Sequence, residues 1–398
     1  MGSERRSTVT HSVYFIDGVR SPFGRAGAKG IFRETRADDL AAMTLKGLLA
    51  RNSSVPLDAI DDVAIAATTQ EGDQGLTLGR TVALLAGIPN SVPGFAIERM
   101  CAGGLTSMTT LGSEIGFGQI DIAIAGGVEH MGHHPMDFAT KANPALIDMG
   151  VWTDDALFMG RTAENLHDRF PLITKERTDA FAMQSQTRAN SASVNGDLAL
   201  DRIVMQTANG VADTDEQLRP GTTMEGLATL TPPFREDGLV TAGNASPLTD
   251  GSTMSLLAGD AAVERYGLVP RMRMVSFAFA GVDPDNMGLG PIPSTEKALA
   301  KAGLTINDIG LFELNEAFAV QVLAFIDHFG LDATSPMMNP WGGAIAIGHP
   351  LAASGVRLAI QLARHFENHP EIRYGVTALC VGLGQGGTVV WENPHFAG

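Results

Sequence analysis

Two cysteines, one histidine and one asparagine are of the residue types that carry nucleophilic and acid–base chemistry. Cys101 stands just before the glycine pair at the predicted start of a helix, where the positive end of the helix dipole lowers the pKa of a thiol. Cys380 ends a predicted strand and enters a glycine-rich turn. His349 lies in a second glycine-rich turn, and Asn315 ends another predicted strand. The four residues could therefore supply a nucleophile, a base and a polar anchor.

Each of these residues also has a purely structural interpretation. A lone cysteine is usually a small buried hydrophobic residue, and a histidine in a turn can serve the backbone alone. An asparagine at the start of a helix often caps that helix. The functional interpretation rests on position: all four residues lie at strand-to-helix or strand-to-loop junctions. Doubly wound sheets gather such junctions at one edge, where ligands bind.

Short β-branched or alanine-rich runs alternate with longer helical patterns along the chain. Strands are predicted at residues 13–16, 62–67, 94–97, 121–125, 272–277, 310–314 and 375–380. Helices are predicted at residues 38–50, 78–86, 103–117, 294–302, 317–329 and 354–366. This alternation predicts βαβ units, and hence an α/β fold with buried sheets and helices on both faces.

The last third of the sequence repeats the order of the first. Similar tetrapeptides at residues 60–63 and 306–309 each precede a strand. The helix at 103–117 leads to a strand at 121–127, and the helix at 354–366 leads to a strand at 375–381 with a similar offset. We interpret the repetition as a duplicated α/β unit, with chance resemblance as the alternative. Residues 128–249 differ in character and predict a long insertion, which usually carries binding function. The predicted domains are a first half at 11–127 and 250–270, the insertion at 128–249, and a second half at 271–398.

Composition limits the classes of function. The 398 residues are 44% hydrophobic and 18% charged, which is typical of a globular protein. A net charge of −16 with no cluster of Lys and Arg argues against a nucleic-acid partner. No apolar run approaches the ~18 residues of a transmembrane helix. Two cysteines make no disulfide framework, and the N-terminus has no signal-peptide core, so a cytoplasmic location is expected.

Four sequence blocks, each holding one of the four residues, resemble the signature blocks of the thiolases: residues 98–104, 315–318, 348–350 and 380–384. The resemblance runs from Ser12 to Trp391 and is closest to the degradative 3-ketoacyl-CoA thiolases that form the β subunit of the bacterial fatty-acid oxidation complex. It implies a duplicated five-layered α-β-α-β-α fold with an inserted loop domain, in agreement with the repetition above.

The resemblance also implies a role for each site residue in the cleavage of a 3-ketoacyl-CoA by CoA. Cys101 attacks the keto carbon and carries the acyl group, His349 takes the thiol proton, and Cys380 protonates the enolate that leaves. His349 and a water held by Asn315 stabilise the enolate oxygen. The backbone N–H groups of Cys101 and Gly382 stabilise the tetrahedral oxygen. CoA is a substrate in this scheme, and no bound cofactor is implied.

Contacts with CoA are expected mainly from the insertion. By resemblance, Ser246 lies near the pantetheine and Arg219 near the nucleotide, although a solvated surface charge is the alternative for Arg219. Phe158, Met159 and Phe318 complete the expected substrate contacts. Phe158 stands where short-chain biosynthetic thiolases usually carry His, which favours a degradative enzyme with a broader acyl pocket.

Three close histidines, His130, His133 and His134, suggest a metal site at first sight. We expect no metal, because no fourth ligand is evident and the family motif carries similar histidines without one. Ala352 is a second departure from the family, which commonly has Gly there. It is expected to extend helix packing, or to alter how closely the backbone approaches His349.

Alternatives to a degradative thiolase are an acetoacetyl-CoA thiolase that condenses two acetyl-CoA, and a non-catalytic subunit of a multienzyme complex. The intact quartet of Cys101, Asn315, His349 and Cys380 argues against the second alternative. The resemblance implies a homodimer or a higher oligomer. It also raises a hydratase/dehydrogenase α subunit as a further partner.

Overall fold

The structure is a computed structural model, which describes residues 11–137 and 142–398. Its strands are β1 (Val13–Arg20), β2 (Gly24–Arg25), β3 (Asp62–Ala66), β4 (Phe95–Ile97), β5 (Ile122–His130), β6 (Met205–Thr207), β7 (Gly210–Ala212), β8 (Thr249–Gly259), β9 (Met272–Gly281), β10 (Ile309–Leu314), β11 (Tyr374–Val381) and β12 (Gln385–Glu392). Its α-helices are α1 (Ala37–Arg51), α2 (Leu78–Leu85), α3 (Gly103–Gly116), α4 (Ala145–Asp148), α5 (Met159–Arg169), α6 (Lys175–Asn195), α7 (Met224–Ala228), α8 (Asp260–Tyr266), α9 (Pro291–Ala302), α10 (Ala319–Phe329), α11 (Ala344–Ile347) and α12 (Ser354–Asn368).

The strands form two halves with the same order and direction. The first half runs β4-β3-β5-β8-β1, and the second runs β10-β11-β12-β9. In the second half, a single parallel bridge between Phe312 of β10 and Met338 takes the place that β4 has in the first half. In both halves one equivalent pair is parallel (β3–β5 and β10–β11), and the two pairings that follow it toward the middle of the sheet are antiparallel. Strands β1 and β9 join the halves through two residue pairs. The predicted duplicated α/β fold is confirmed.

Helices separate and cover the two sheets in five layers. Helix α3 packs on β3, β5 and β8, while α12 contacts β10 and β11 of its own half and β1 and β8 of the other. These two helices therefore form the central layer. Helices α1 and α2 cover the outer face of the first sheet, and α9 covers the second. Three apolar cores lie between these layers.

The central layer is built from small residues because it lies between two sheets. Helix α3 buries several Gly, Ser and Thr residues. The hydroxyl groups of its Ser and Thr residues donate hydrogen bonds to nearby backbone carbonyls. A Cβ atom added at Gly104 would stand 2.6 Å from the carbonyl oxygen of Ala352 in the other half. At Gly127 of β5 the same oxygen would be 2.1 Å away. Any side chain at these two positions would force the halves apart.

Between β5 and β8 the chain leaves the sheets to form α4 to α7 and the small β6–β7 hairpin. Helix α6 packs on α10 and α11, so this segment covers the second half near its glycine-rich turns. Within the two described ranges, no helix combines the length and apolar character that crossing a membrane requires. The domain limits given above stay a prediction.

The close approach at Ala352 generates a stability prediction. Replacing Gly104 with Ala should lower the free energy of unfolding by about 1–3 kcal/mol, because the new methyl group overlaps the Ala352 carbonyl. Gly116→Ala on the same helix is the matched control, since its Cβ would meet only atoms at 3.7 Å or beyond. Urea unfolding of both variants measures the difference. Equal stability of the two variants would contradict this account of the packing.

Candidate active site

A cavity of about 420 Å³ opens where the two halves and the segment between β5 and β8 meet. Eight of the ten site residues predicted from the sequence line it: Cys101, Phe158, Met159, Arg219, Ser246, Phe318, His349 and Cys380. The other two, Asn315 and Gly382, lie directly behind the wall and contact His349 and Cys101 respectively. The structure therefore brings all ten predicted residues to one place.

Cys101 occupies a single 3-10 turn, Met100–Ala102, immediately before α3. The backbone N–H of Gly382 lies close enough to the Cys101 sulfur to favour the thiolate. Burial nevertheless raises the pKa of the Cys101 thiol to about 12. The expected lowering of this pKa was wrong, because loss of water around the thiolate outweighs the helix dipole and the N–H donor. The resting thiol is protonated, and attack requires a base.

His349 provides a neutral base beside this thiol. Its backbone N–H donates to Thr249 Oγ1 at 3.1 Å. Its Nδ1 lies 2.6 Å from Ser354 Oγ, whose hydroxyl donates to the Pro350 carbonyl oxygen at 3.2 Å. Nδ1–H therefore donates a hydrogen bond to Ser354 Oγ, which puts the lone pair of the neutral ring on Nε2. Burial and the charge of Arg357 lower the pKa of His349 to about 3, so the ring is neutral at physiological pH.

Asn315 follows β10 and touches the imidazole of His349. Its backbone N–H donates to the Ala378 carbonyl oxygen at 2.9 Å, and its Nδ2 lies 3.4 Å from His349 Nε2. Helix α10 begins at Ala319, with Phe318 at the N-cap position. Asn315 therefore does not cap that helix, and the structural alternative for this residue was wrong.

Cys380 lies near the end of β11, fully buried beside Cys101. Burial first, and then the neighbouring Cys101 sulfur, raise the pKa of the Cys380 thiol well above its usual range. Gly382 follows in the turn between β11 and β12. A Cβ atom there would stand 2.8 Å from Met100 Sδ, so a larger residue would require the Met100 side chain to shift.

Comparison with known proteins agrees with this geometry. The model of the thiolase N-terminal domain matches residues 13–261, and that of the thiolase C-terminal domain matches residues 268–393. The chain belongs to the thiolase family.

Curated relatives and solved structures match this thiolase over nearly its whole length. The beta-ketoadipyl-CoA thiolase of Escherichia coli is 41% identical over 95% of this chain and 98% of its own. The 3-ketoacyl-CoA thiolase of Pseudoalteromonas translucida (strain TAC 125) is 41% identical over 95% and 97%. Human mitochondrial 3-ketoacyl-CoA thiolase in complex with CoA superposes with a TM-score of 0.87 at 32% identity, covering 97% and 98%. The Bacillus anthracis acetyl-CoA acetyltransferase superposes with a TM-score of 0.86 at 32% identity, covering 97% of this chain and all of that one.

The five residues predicted to contact CoA all line the cavity of this thiolase. Ser246 is anchored by its N–H, which donates to the Ala317 carbonyl oxygen at 2.9 Å. The Arg219 backbone N–H donates to Gln186 Oε1 at 3.0 Å, and its side chain is exposed. Phe158 is 44% exposed, with the Arg161 guanidinium 4.6 Å from its ring centroid. Their roles in CoA binding stay predictions.

The three close histidines form hydrogen bonds with protein groups. His130 Nε2 lies 3.0 Å from the Phe32 carbonyl oxygen, and its ring stacks on His133 at 3.6 Å. The Asp73 carboxylate contacts both His133 and His134. Over residues 11–137 and 142–398, no three His, Cys, Asp or Glu side chains are grouped so that they could hold a metal. The cluster anchors the chain as it leaves β5.

Sequence reasoning missed three residues that support the site. Thr249 and Ser354 hold the backbone and the ring of His349, and Arg357 faces Asn315. Ser354 and Arg357 carried a signal that could have found them: a hydroxyl group and a charge in the apolar first two turns of the helix just after His349. Thr249 carried none, because its contact with His349 spans 100 residues.

The neutral His349 generates a pH prediction. Because burial disfavours the imidazolium, the pKa falls from its ordinary value of 6.5 to about 3. The ring signal of His349, assigned by its loss in His349→Asn, should therefore not shift between about pH 8 and about pH 5 in an NMR titration of histidine-labelled protein. A midpoint near the ordinary value would contradict the buried neutral base.

Proposed function

We propose that this thiolase is a degradative acetyl-CoA C-acyltransferase. It cleaves a 3-ketoacyl-CoA with CoA to acetyl-CoA and a shortened acyl-CoA, as in fatty-acid β-oxidation. The observation that carries the proposal is the meeting of Cys101, His349 and Cys380 at one cavity, with the Gly382 N–H on the first sulfur. At the start of the reaction both cysteines are protonated thiols and His349 is a neutral imidazole, as the reaction requires.

The first half-reaction forms the acyl-enzyme. His349 Nε2 takes the Cys101 proton as the sulfur attacks the 3-keto carbon, and the N–H groups of Cys101 and Gly382 stabilise the tetrahedral oxygen. The C2–C3 bond then breaks, leaving an acyl group on Cys101 and the enolate of acetyl-CoA. The imidazolium and a water on Asn315 hold the enolate oxygen while Cys380 gives its proton to C2. A thiol with a raised pKa suits this step, since it is protonated until the carbanion forms.

The second half-reaction returns every group to its starting state. The Cys380 thiolate takes the proton of the incoming CoA thiol, and the CoA sulfur attacks the acyl carbon on Cys101. The same two N–H groups hold the oxygen. Cys101 leaves and recovers its proton from His349. Both cysteines of the sequence are used in this cycle.

The apolar lining of the cavity supports the degradative direction. Apolar side chains dominate its wall, including Met131, Met136, Leu157 and Met287. Methionines adapt to chains of different shape, which favours an extended acyl group. Phe158 adds a large apolar surface at the position where short-chain biosynthetic thiolases usually carry His. The alternative, acetoacetyl-CoA synthesis, draws support from the likeness to the Bacillus anthracis acetyl-CoA acetyltransferase.

We also propose a homodimer or a higher oligomer. Within the described residues, β4 (Phe95–Ile97) has β3 as its one strand partner, so its other edge is open close to the Cys101 turn. An open edge can pair across a two-fold axis. A hydratase/dehydrogenase α subunit as partner and a cytoplasmic location rest on the sequence expectations alone.

A substrate series tests the direction of the reaction. Thiolysis of medium- and long-chain 3-ketoacyl-CoA should proceed with a higher kcat/KM than thiolysis of acetoacetyl-CoA, because the apolar wall binds additional methylene groups at ~0.8 kcal/mol each. The rate of condensation of two acetyl-CoA is measured alongside as the reference for the biosynthetic alternative. A kcat/KM that is highest for acetoacetyl-CoA and falls with chain length would contradict the proposal.

The two cysteines should have separable roles. Cys380→Ala should lose exchange of the acetyl protons of acetyl-CoA with deuterated water by ~10²–10⁴, the usual effect of removing a general base. Acylation should fall much less, because Cys101, His349 and Gly382 remain. NMR of the acetyl methyl group follows exchange, and mass spectrometry follows acylation. Exchange at the wild-type rate in Cys380→Ala would show that the assignment is wrong.

A further inference from the structure

We propose that Arg357 is a positioning residue that fixes the side-chain amide of Asn315 so that its N–H groups point toward His349, on the side of the active-site cavity. The inference rests on the proposed thiolase reaction, in which a water on Asn315 helps to hold the enolate oxygen. Arg357 does not line the cavity, and its direct contact with the site is the hydrogen bond to Asn315. Its charge also lowers the pKa of His349, so the Arg357 variants below keep the charge or remove it together with that of Glu313.

The contact between the two side chains determines which way the amide points. Arg357 Nη2 lies 3.2 Å from Asn315 Oδ1, and both side chains are buried. A guanidinium carries only donors, so the Asn315 atom that faces it must be the carbonyl oxygen. The Nδ2 donors are then directed to the opposite side, where Nδ2 lies 3.4 Å from His349 Nε2.

Without this contact, little else would choose between the two amide orientations. The Asn315 backbone is anchored by its bond to the Ala378 carbonyl oxygen, but the terminal torsion of an asparagine is broad and roughly two-fold. A flipped amide would present Oδ1 to the cavity. A water that accepts a bond from Nδ2 keeps both of its hydrogens for other acceptors, including the enolate oxygen. A water facing Oδ1 must give one hydrogen to the amide.

Arg357 is itself held by a buried polar stripe on α12. Arg357, Gln361 and His365 are spaced four residues apart and so lie on one face of the helix. Arg357 Nη1 donates to Gln361 Oε1 and lies 3.6 Å from Glu313 Oε2 on β10. Glu313 Oε1 lies 3.3 Å from His365 Nε2.

The carboxylate of Glu313 provides countercharge to Arg357 without binding it closely. Neither oxygen of Glu313 has a hydrogen-bond partner in the described part of the chain. The guanidinium is therefore not clamped by a bidentate pair, and its Nη2 donor remains directed at Asn315. A buried ion pair that served stability alone would be expected to have its donors and acceptors matched to each other.

The competing interpretation is that Arg357 only stabilises the packing of α12 on β10. Three variants and one control separate the two. Arg357→Met combined with Glu313→Gln removes the donor to Asn315 without leaving an unpaired buried charge. Arg357→Lys keeps the positive charge and a hydrogen-bond donor, but the lysine side chain is shorter than that of arginine. Asn315→Asp keeps the acceptor that faces Arg357 but removes the donors that face the cavity. The control is Arg364→Gln, on the same helix but paired with Asp201 at 2.6 Å.

Two rates are measured on each folded protein: exchange of the acetyl protons of acetyl-CoA with deuterated water, and acylation of Cys101 by acetyl-CoA. The double variant should lose exchange by roughly 10- to 100-fold, less than the ~10²–10³ that follows complete removal of such a donor, with acylation unchanged. Arg357→Lys should show a smaller loss of exchange alone. Asn315→Asp should lose at least as much exchange as the double variant, and Arg364→Gln should change neither rate.

A parallel fall of both rates, or wild-type exchange in the double variant, would overturn the inference. If the double variant does not fold, wild-type exchange in Asn315→Asp or an equal loss of both rates in Arg357→Lys would overturn it. The wild-type enzyme is assayed first for thiolysis of a 3-ketoacyl-CoA. Absence of that activity would reject the proposed function itself, whereas thiolysis without the expected split rejects only the role of Arg357.

Discussion

The carbonyl oxygen of Ala352 sits against two glycines of the other half, Gly104 in α3 and Gly127 in β5. This contact lets the two halves approach until their glycine-rich turns share one cavity. Cys101 comes from the first half and Cys380 from the second, and they become neighbours only because nothing larger than hydrogen separates the halves there. The small residues of the central layer are therefore a condition for the chemistry as well as for the packing.

The same close packing decides the electrostatics of the site. The three side chains are buried, so Cys101, Cys380 and His349 all rest in their neutral forms, and each pKa moves in the direction that burial dictates. Charge develops only during the reaction, where fixed donors such as the Gly382 N–H can stabilise it. Such donors need no reorganisation, and they act more strongly in a buried site than in water.

The sequence predicted the order of elements and the residues of the site, since both are local patterns: the strand predicted at 62–67 is Asp62–Ala66. Strand β5 was predicted to end at residue 125, or at 127 in the duplicated unit, but continues to His130. Its glycines, Gly126 and Gly127, are strand residues in close contact with neighbouring backbone atoms. The pKa of Cys101 was predicted in the wrong direction because burial is a property of the assembled fold. The contact of Arg357 with Asn315 was invisible for the same reason.

The central claim is that Cys101 carries the acyl group while Cys380 moves protons. Incubation with acetyl-CoA followed by proteolysis and mass spectrometry locates the acyl group directly. The account predicts an added acetyl group on the peptide that contains Cys101 in the wild type and in Cys380→Ala, and none in Cys101→Ala. An acetyl group on the peptide that contains Cys380, or an acyl-enzyme in Cys101→Ala, would contradict it.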